Sequence, residues 1–249
     1  MLGHKVLPMA SKVRLYVDHA LGEGQMVPLS RGQANYLFAV MRLPIGTVLS
    51  LINGKDGEWD AEVVEGNKRG GALRCIAQTK PLQEPPDVWL TFAPIKKERT
   101  AFIVEKATEL GAVRICPVET DFTQSANRIK RDRLQAHAVE ATEQCGGTFV
   151  PEVAELARLS DVIKSWPEDR NLLICDEGLV HQTHSLVDLP IGPWAILIGP
   201  EGGFSDAERA QLTALSQSYA ISLGPRILRA DTAAVAALTL WQKHFGDWV

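Results

Sequence analysis

The stretch Ile196-Leu-Ile-Gly-Pro-Glu-Gly-Gly-Phe-Ser-Asp-Ala-Glu208 decides the fold class, because it joins an apolar strand to a helix through a turn with three glycines. Ser205 and Glu208 have the spacing of a helix-capping box. Glycines at a strand end let backbone N–H and C=O groups approach a ligand closely. The turn lacks the Lys-Ser or Lys-Thr of a P-loop and does not match the dinucleotide fingerprint. A ligand-binding turn and a plain tight turn therefore both stay open.

A second stretch of the same kind follows the next apolar segment. A strand is predicted over residues 219–223, Gly224-Pro225 interrupts it, and a helix is predicted from Thr232 to Lys243. Two backbone-rich turns that end neighbouring strands can enclose one pocket. Small side chains let this helix pack closely on the core, on a partner subunit or on the pocket; they are Ala233, Ala234, Ala236 and Ala237.

Apolar runs alternate with helical segments throughout the C-terminal two thirds of the chain. The runs cover residues 88–92, 113–116, 171–175 and 194–198, and the helices are predicted at about 99–110, 129–145 and 206–217. Continuous apolar runs are typical of parallel strands that are covered on both faces. The sequence therefore predicts an α/β domain, whose ligands bind outside the carboxyl ends of the strands.

The N-terminal part has short β segments separated by turns. These segments cover residues 14–17, 47–52, 58–64 and 72–77, and Asn53-Gly54 and Asp56-Gly57 supply hairpin-type residues. Ser30 and Gln33 form a possible capping box for one short helix. The pattern predicts a compact barrel of about five strands. Three prolines within residues 81–86 form a stiff connector, so we divide the chain into domains of residues 1–82 and 83–249.

The composition is that of a globular protein, with 45% hydrophobic and 22% charged residues. These values exclude collagen-like, disordered and membrane-spanning classes. No apolar run is long enough to cross a bilayer, and the first twenty residues lack the apolar stretch of a secretory signal. We expect a cytoplasmic protein with no membrane partner.

The net charge of −4 is unevenly distributed. Residues 1–80 carry ten Lys or Arg against seven Asp or Glu, and the remainder carries sixteen against twenty-three. A local basic excess can mark a face that contacts RNA phosphates, because attraction depends on nearby charge under salt screening. A chance fluctuation is the alternative.

No metal site is expected. The cysteines are scattered without a C-x-x-C pair, at Cys75, Cys116, Cys145 and Cys175. His181 and His184 are three residues apart but lack the H-E-x-x-H pattern, so we interpret them as loop residues.

Several segments together carry a family resemblance. The C-terminal ones are residues 198–205 with Glu208, residues 223–224 with 227–229, and residues 231–233; the earlier ones are 96–99, 105–106, 109–111, 140–146 and 151–152. Residues 14–17 and 36–42 match more loosely. On these segments the chain resembles the 16S ribosomal RNA (uridine-N3) methyltransferase family of the knotted SPOUT class. It departs from the family at Gly147, where arginine is common, and at Asp231, where glutamate is common.

The resemblance implies a fold, a cofactor and partners. It implies a C-terminal parallel sheet tied in a deep trefoil knot, and a PUA-like β-barrel at the N-terminus that binds RNA. It implies a homodimer that methylates N3 of a uridine in 16S rRNA of the small ribosomal subunit, with S-adenosyl-L-methionine as the methyl donor. The positions that would hold this cofactor are Leu173, Ile198, Gly199, Pro200, Gly202, Gly203, Leu223, Gly224, Ile227, Leu228, Thr232 and Ala233.

Two side chains in the glycine-bearing loops are candidates for the chemistry. Arg229 can stabilise the anion that develops on the uracil carbonyls, or it can brace the pocket by pairing with Glu201 or Asp231. Glu201 can accept the N3 proton, or it can hold a neighbouring group in place. Neither alternative is decided by the sequence.

Clusters of basic residues are candidates for phosphate contacts, although a charge cluster can also be a solvated face. They are Arg14, Arg42, Lys96, Lys97, Arg99, Arg128, Lys130, Arg131 and Arg133. Two other functions remain open on this fold. One is methylation of a different RNA position, and the other is a non-catalytic factor in ribosome assembly.

Overall fold

A computed structural model describes residues 13–124, 129–176 and 186–248. The chain forms two compact units, which are considered separately. The N-terminal unit contains the described residues up to Gln83 together with Gly146–Phe149, and the C-terminal unit contains Glu84–Cys145 and the described residues from Val150 onward.

The N-terminal unit has a five-stranded sheet. Its elements are β1 (Arg14–Tyr16), β2 (Met26–Pro28), α1 (Arg31–Ala34), β3 (Val48–Ile52), β4 (Glu58–Asn67) and β5 (Gly70–Lys80). The predicted capping box at Ser30 and Gln33 starts α1, which continues as a π-helical segment over Asn35–Val40. The pattern misses β2, because a strand of three residues is too short to show alternation.

The strand order is β1-β3-β4-β5-β2, and β1 pairs with β3 in parallel while the other pairs are antiparallel. Three register shifts between β4 and β5 mark bulges, which bend a sheet around its core. Among the described residues no strand pairing joins β1 to β2, so the hydrogen-bonded ladder is open where a closed barrel is predicted. The core is apolar and includes Val27, Leu37, Leu49, Leu51 and Leu73.

The segment Gly146–Phe149 belongs to the N-terminal unit, although the division made from the sequence places it in the C-terminal domain. Arg14 Nη2 donates to the Gly147 carbonyl at 2.7 Å, and Lys80 Nζ donates to the Gly146 carbonyl at 3.2 Å. The Gln83 N–H donates to Thr148 Oγ1 at 2.8 Å. A segment of four residues that is held by hydrogen bonds shows no hydrophobic periodicity, so the sequence pattern does not predict that it packs with the N-terminal unit.

A short and largely buried ion pair in the N-terminal unit joins Arg14 to Glu58. Arg14 Nη2 lies 2.7 Å from Glu58 Oε2, with only 13% and 9% of the two side chains exposed. Burial raises the pKa of Glu58, but the charges of Arg14 and Lys80 and hydrogen bonds from Arg14 and Thr79 outweigh it and lower the pKa overall. The guanidinium of Arg14 therefore stabilises the sheet, and little of it is exposed to a phosphate.

We expect Glu58→Gln to lower the free energy of unfolding by about 3 kcal/mol at pH 7, since it leaves a buried cation without its counter-charge. A lowered folded-state pKa stabilises above the unfolded pKa of about 4.3, and that stability is lost as the pH falls through the folded value. The difference between wild type and variant in urea denaturation should therefore shrink below about pH 4. Glu62→Gln is the matched control, because Glu62 pairs with Arg74 at the same 2.7 Å with 33% and 53% of the side chains exposed. Equal losses in the two variants would contradict the role of burial.

The C-terminal unit alternates strands and helices, as predicted. Its elements are β6 (Val88–Phe92), α2 (Lys97–Glu109), β7 (Arg114–Glu119), α3 (Arg131–Cys145), β8 (Glu152–Val153), β9 (Ala157–Arg158), α4 (Leu159–Lys164), β10 (Asn171–Cys175), β11 (Trp194–Ile198), α5 (Asp206–Ala214), β12 (Ser218–Ile221) and α6 (Ala230–Phe245). They form a seven-stranded sheet in the order β12-β10-β11-β6-β7-β8, with β9 paired to β7. Each described pairing in it is parallel, which confirms the predicted α/β sheet.

The central strand β11 shows why the apolar runs are continuous. All five of its residues are buried. Trp194, Ile196 and Ile198 belong to one core cluster, which contains residues of α2, α3 and α6. Ala195 and Leu197 belong to a second cluster, which contains residues of α4 and α5. A strand covered on both faces has no polar side to alternate with the apolar one.

The element ends near the two glycine-bearing stretches differ from the predicted ones. Helix α5 ends at Ala214, where residue 217 is predicted, because Leu215 adopts an extended conformation. Strand β12 ends at Ile221, which leaves Ser222–Arg229 as a loop before α6. In the part of the chain that the structure describes, no helix has the length and apolarity to cross a membrane.

Candidate functional site

The strand register brings the two glycine-bearing loops to one edge of the sheet. Cys175 at the end of β10 pairs with Ile198 of β11 on one side and with Ile221 of β12 on the other. The loops after Ile198 and Ile221 therefore leave the sheet at the same level. This is the carboxyl edge, where ligands bind in open parallel sheets.

The first loop is a tight turn that ends in a capped helix. The Gly203 N–H donates to the Pro200 carbonyl at 2.9 Å, and Gly203 has φ of +68°, which favours glycine. Ser205 and Glu208 form the predicted capping box of α5. A side chain at Gly199 would place its Cβ 3.0 Å from the buried Phe204 ring, so the close packing of this turn favours glycine there.

The second loop is shaped by Ser222. Its hydroxyl accepts from the Gly224 N–H and donates to the Gly224 carbonyl, both at 3.2 Å. Gly224 has φ of +112°, a conformation that residues with a side chain rarely adopt. The loop passes through Arg229, whose carbonyl accepts the first hydrogen bond of α6 from Ala233 at 2.7 Å.

The two loops line one cavity of about 270 Å³, which we call the donor cavity. This is close to the lower end of the range for small-molecule sites, about 300 Å³. Eleven of the fourteen predicted cofactor and catalytic positions line it: Ile198, Gly199, Pro200, Glu201, Gly203, Leu223, Gly224, Ile227, Leu228, Arg229 and Ala233. The structure therefore supports one pocket over two unrelated tight turns.

Three predicted cofactor positions do not line the donor cavity. Leu173 is fully buried in the core of the sheet. Gly202 lines a second cavity, which shares Pro200 and Glu201 with the donor cavity. Thr232 is exposed in the first turn of α6, where its N–H bonds Asp231 Oδ1 at 2.9 Å.

The sequence reading missed several lining residues, among them Cys175, Asp176, Phe204, Ser222 and Arg226. Cys175 and Asp176 could have been predicted from the sequence, because they stand at the carboxyl end of β10, which adjoins those of β11 and β12. Burial raises the pKa of the Cys175 thiol to about 12, so it stays protonated at neutral pH. Asp176 is 5% exposed and accepts two hydrogen bonds from Arg209, at 2.8 and 3.3 Å.

Arg99 braces the donor cavity by linking α2 to the first glycine-bearing loop and to the first turn of α6. Its Nη1 lies 3.3 Å from Glu201 Oε1, and its Nε lies 3.7 Å from Asp231 Oδ2. These are the two carboxylates that the sequence reading offers as partners for Arg229. Across the described residues neither Arg229 nor Arg226 forms an ion pair, and both side chains are exposed.

We expect Arg99→Ala to weaken S-adenosylmethionine binding about threefold, because half-exposed ion pairs contribute about 0.2–1 kcal/mol each. The salt dependence of RNA binding should stay unchanged. Lys97→Ala is the comparison, because Lys97 is exposed on the same turn and does not line the donor cavity. Removal of the Lys97 ammonium group should reduce the slope of the logarithm of the RNA-binding constant against the logarithm of the salt concentration by the equivalent of about one phosphate contact at most. Calorimetry with the cofactor and RNA binding at two salt concentrations would measure both. A reduced slope in Arg99→Ala with normal cofactor affinity would identify a phosphate contact instead.

The remaining predicted RNA-contact residues differ in their availability. Lys96, Lys97, Lys130 and Arg133 are exposed around the first turns of α2 and α3. Arg131 donates to the Val153 carbonyl at 2.9 Å, and Arg42 is exposed with φ of +55°. Arg128 lies outside the described residues. Phosphate contact by any of these residues stays a prediction.

Within residues 13–124, 129–176 and 186–248, no cluster of three or more His, Cys, Asp or Glu side chains could hold a metal ion. His181 and His184 lie outside these ranges. The donor cavity is lined by backbone groups and apolar side chains together with the charged residues Asp176, Glu201, Arg226 and Arg229.

Two family models match the chain. Residues 83–242 match an RNA methyltransferase domain, and residues 29–73 match an RNA methyltransferase PUA domain. A relative from Rickettsia conorii, named ribosomal RNA small subunit methyltransferase E, is 30% identical over 230 residues, which cover 90% of this chain and 93% of that protein.

Two solved structures have closely similar folds. A methyltransferase from Legionella pneumophila in complex with S-adenosylmethionine has a TM-score of 0.85 and 30% identity, over 94% of this chain and 98% of that one. A ribosomal RNA small subunit methyltransferase E from Neisseria gonorrhoeae, bound to the same cofactor, has a TM-score of 0.83 and 26% identity, over 95% and 99% of the two chains.

Proposed function

Because the chain belongs to the ribosomal RNA small subunit methyltransferase E family, we propose that it methylates N3 of a uridine in 16S rRNA. S-adenosylmethionine is its methyl donor. The observation that carries the proposal is the donor cavity, which both glycine-bearing loops line at the carboxyl ends of β10, β11 and β12.

The residues of the donor cavity fit this cofactor. Ile198, Leu223 and Leu228 supply apolar surface for a purine, and the glycines expose backbone groups that can hydrogen-bond its edge. At Gly224 a Cβ would meet no atom within 4 Å, so the absent side chain leaves open space beside the loop. A nucleoside needs this combination of a flat apolar slot with backbone donors and acceptors.

The cofactor supplies a methyl group activated by a positively charged sulfur. The chain has to align the uridine nitrogen with it and to favour loss of the N3 proton. N3 is a poor nucleophile while it carries that proton, because its lone pair is withdrawn by two flanking carbonyls. As the proton leaves, negative charge develops on the carbonyl oxygens, and a nearby cation stabilises it.

Arg229 is our candidate for that cation. It is exposed at the donor cavity and has no ion-pair partner among the described residues, since Arg99 holds both Glu201 and Asp231. Its guanidinium is free to contact a substrate. For Glu201 the contact with Arg99 supports the structural role, and its place at the donor cavity leaves proton acceptance open as the second role.

The finer features of the proposal follow the family. The N-terminal unit would bind RNA, with residues 83–249 as the methyltransferase domain, and two chains would form a homodimer. A trefoil knot in the sheet with the order β12-β10-β11-β6 would likewise follow the family. The chain would act in the cytoplasm, where small ribosomal subunits are assembled. Light scattering after gel filtration tests the dimer, and an experimental chain trace tests the knot.

Deletion of the gene tests the function. Digested 16S rRNA from the deletion strain should lack N3-methyluridine by mass spectrometry, and a plasmid copy should restore it. A strain that keeps this nucleoside while losing a ribose-methylated or guanine-methylated one would reassign the enzyme to another RNA position. If no modified nucleoside changes, the chain acts as a non-catalytic assembly factor.

A further inference from the structure

A second cavity of about 340 Å³ adjoins the donor cavity at the first glycine loop. Both cavities share Pro200 and Glu201 as lining residues. The second cavity is completed by Pro94, Ile95, Lys96, Phe122, Gln124 and Gly202. A molecule seated in it would therefore lie next to the donor cavity, with Pro200 and Glu201 at the boundary that the two cavities share.

Phe122 is the unusual member of this lining. Its side chain is 48% exposed, which leaves much of the ring accessible. Yet the neighbouring backbone is fixed, because the Asp121 N–H donates to Glu208 Oε1 at 2.8 Å and Asp121 Oδ2 accepts from Ser205 Oγ at 2.5 Å. These partners form the capping box of α5, so the loop after β7 is bonded to the end of the first glycine loop.

Gly202 leaves room for the Phe122 ring. A Cβ at Gly202 would lie 3.3 Å from the Cβ of Phe122 and 3.5 Å from its ring. The glycine loop and the aromatic side chain are thus in contact, with no side chain between them. An exposed ring on a fixed backbone is a stacking platform for a flat molecule.

The polar residues of the second cavity match the edge of a pyrimidine. Lys96 is exposed at the start of α2, and its ammonium group can donate to a carbonyl oxygen. Gln124 has a carboxamide that can both donate and accept. Uracil is planar, and its edge presents two carbonyl oxygens on either side of N3. The buried Pro94 and Ile95 provide the apolar wall that such a ring needs.

We infer that the second cavity receives the target uracil after it is flipped out of the RNA, with Phe122 stacked on its face and Lys96 bonded to one carbonyl. The edge with N3 and the other carbonyl would then face the donor cavity, which Arg229 lines. Enzymes that modify a base take it out of the stack and hold it between apolar or aromatic groups. This inference rests on the proposed function and adds the residues that bind the base. It assigns Lys96 to the base, where the sequence reading assigns it to phosphates.

The test compares matched variants in methylation of small subunits from the deletion strain, with S-adenosylmethionine binding measured on the same samples. Stacking contributes about 1–3 kcal/mol per base, so Phe122→Ala should lower kcat/KM for the subunit by about tenfold or more. Phe122→Tyr keeps the ring and should stay within about threefold of wild type. The cofactor Kd should change less than about twofold in both, which also shows that they are folded.

The neighbouring lysines give a second comparison. Lys96 lines the second cavity and Lys97 does not, while both are exposed. Lys96→Ala should lower kcat/KM at least about fivefold more than Lys97→Ala, and this excess should persist at high salt, since a contact in a cavity is screened less than a surface charge.

The inference is wrong if Phe122→Ala methylates subunits with the wild-type kcat/KM, or if its loss of activity comes entirely from weaker cofactor binding. Equal, salt-sensitive losses in the two lysine variants would assign Lys96 to phosphate attraction and overturn its contact with the base. If wild-type protein itself leaves subunits unmethylated, the proposed function fails first, and that result is recognised without any variant.

Discussion

Arg229→Ala is expected to lower kcat by about 100-fold or more, while the Kd for S-adenosylmethionine stays within about threefold. The loss follows from removing the cation that faces the developing charge on uracil. Arg229 is exposed at the donor cavity, and Arg99 already holds Glu201 and Asp231, so Arg229 has no structural ion pair to lose among the described residues.

Arg226→Ala is the matched control for this prediction. Arg226 lines the same cavity, is likewise exposed and has the same charge. It should keep kcat within about fivefold, the scale of an exposed charge. The activity of Arg229→Ala should also rise more steeply with pH than that of wild type, because hydroxide replaces the lost help in removing the N3 proton. Turnover equal to wild type in Arg229→Ala would reject the catalytic role, and a large loss only in Arg226→Ala would move that role to Arg226.

Gly224→Val is expected to weaken S-adenosylmethionine binding about 100-fold, or about 2.7 kcal/mol. Two effects add. Valine is strained at φ of +112°, at a cost of about 1–3 kcal/mol, so the loop will shift to relieve it. Gly224 itself lines the donor cavity, so the added side chain would also occupy open space there that is otherwise available to the cofactor.

Gly24→Val separates the two effects of that substitution. Gly24 has φ of +74° and also meets no atom within 4 Å, but it lies in the N-terminal unit. It should lower the free energy of unfolding by about 1–3 kcal/mol and leave the cofactor Kd unchanged. Calorimetric titration of both variants checks this. Normal cofactor binding by Gly224→Val would mean that the second loop does not form part of the donor site.

The sequence predicts the sheet of the C-terminal unit well, because strands covered on both faces give uninterrupted apolar runs, as β11 does. It also predicts the two loops, since Gly199 directly follows β11 and Gly224 lies in the loop that follows β12. It does not predict β2 or the excursion at Gly146–Phe149, because segments of three or four residues have no measurable period. These parts depend on tertiary hydrogen bonds.

The partners of charged residues are the part of the site that sequence reasoning cannot supply. Arg99 is 102 residues from Glu201 in the chain, and only the fold brings the two side chains within 3.3 Å. In the same way, Arg14 is predicted from the sequence to contact a phosphate, and the fold places its guanidinium against Glu58. Which opposite charge a surface arginine meets depends on the packing of distant elements, and local spacing carries no information about it.

The central claim is that this chain moves a methyl group to N3 of a uridine in 16S rRNA. The most direct measurement incubates the purified protein with S-adenosylmethionine bearing a deuterated methyl group and with small subunits from the deletion strain. Mass spectrometry of the digested RNA should find the deuterated methyl on N3 of uridine, with an initial rate about 100-fold lower for Arg229→Ala. Deuterium on a different nucleoside, or on none, would contradict the account.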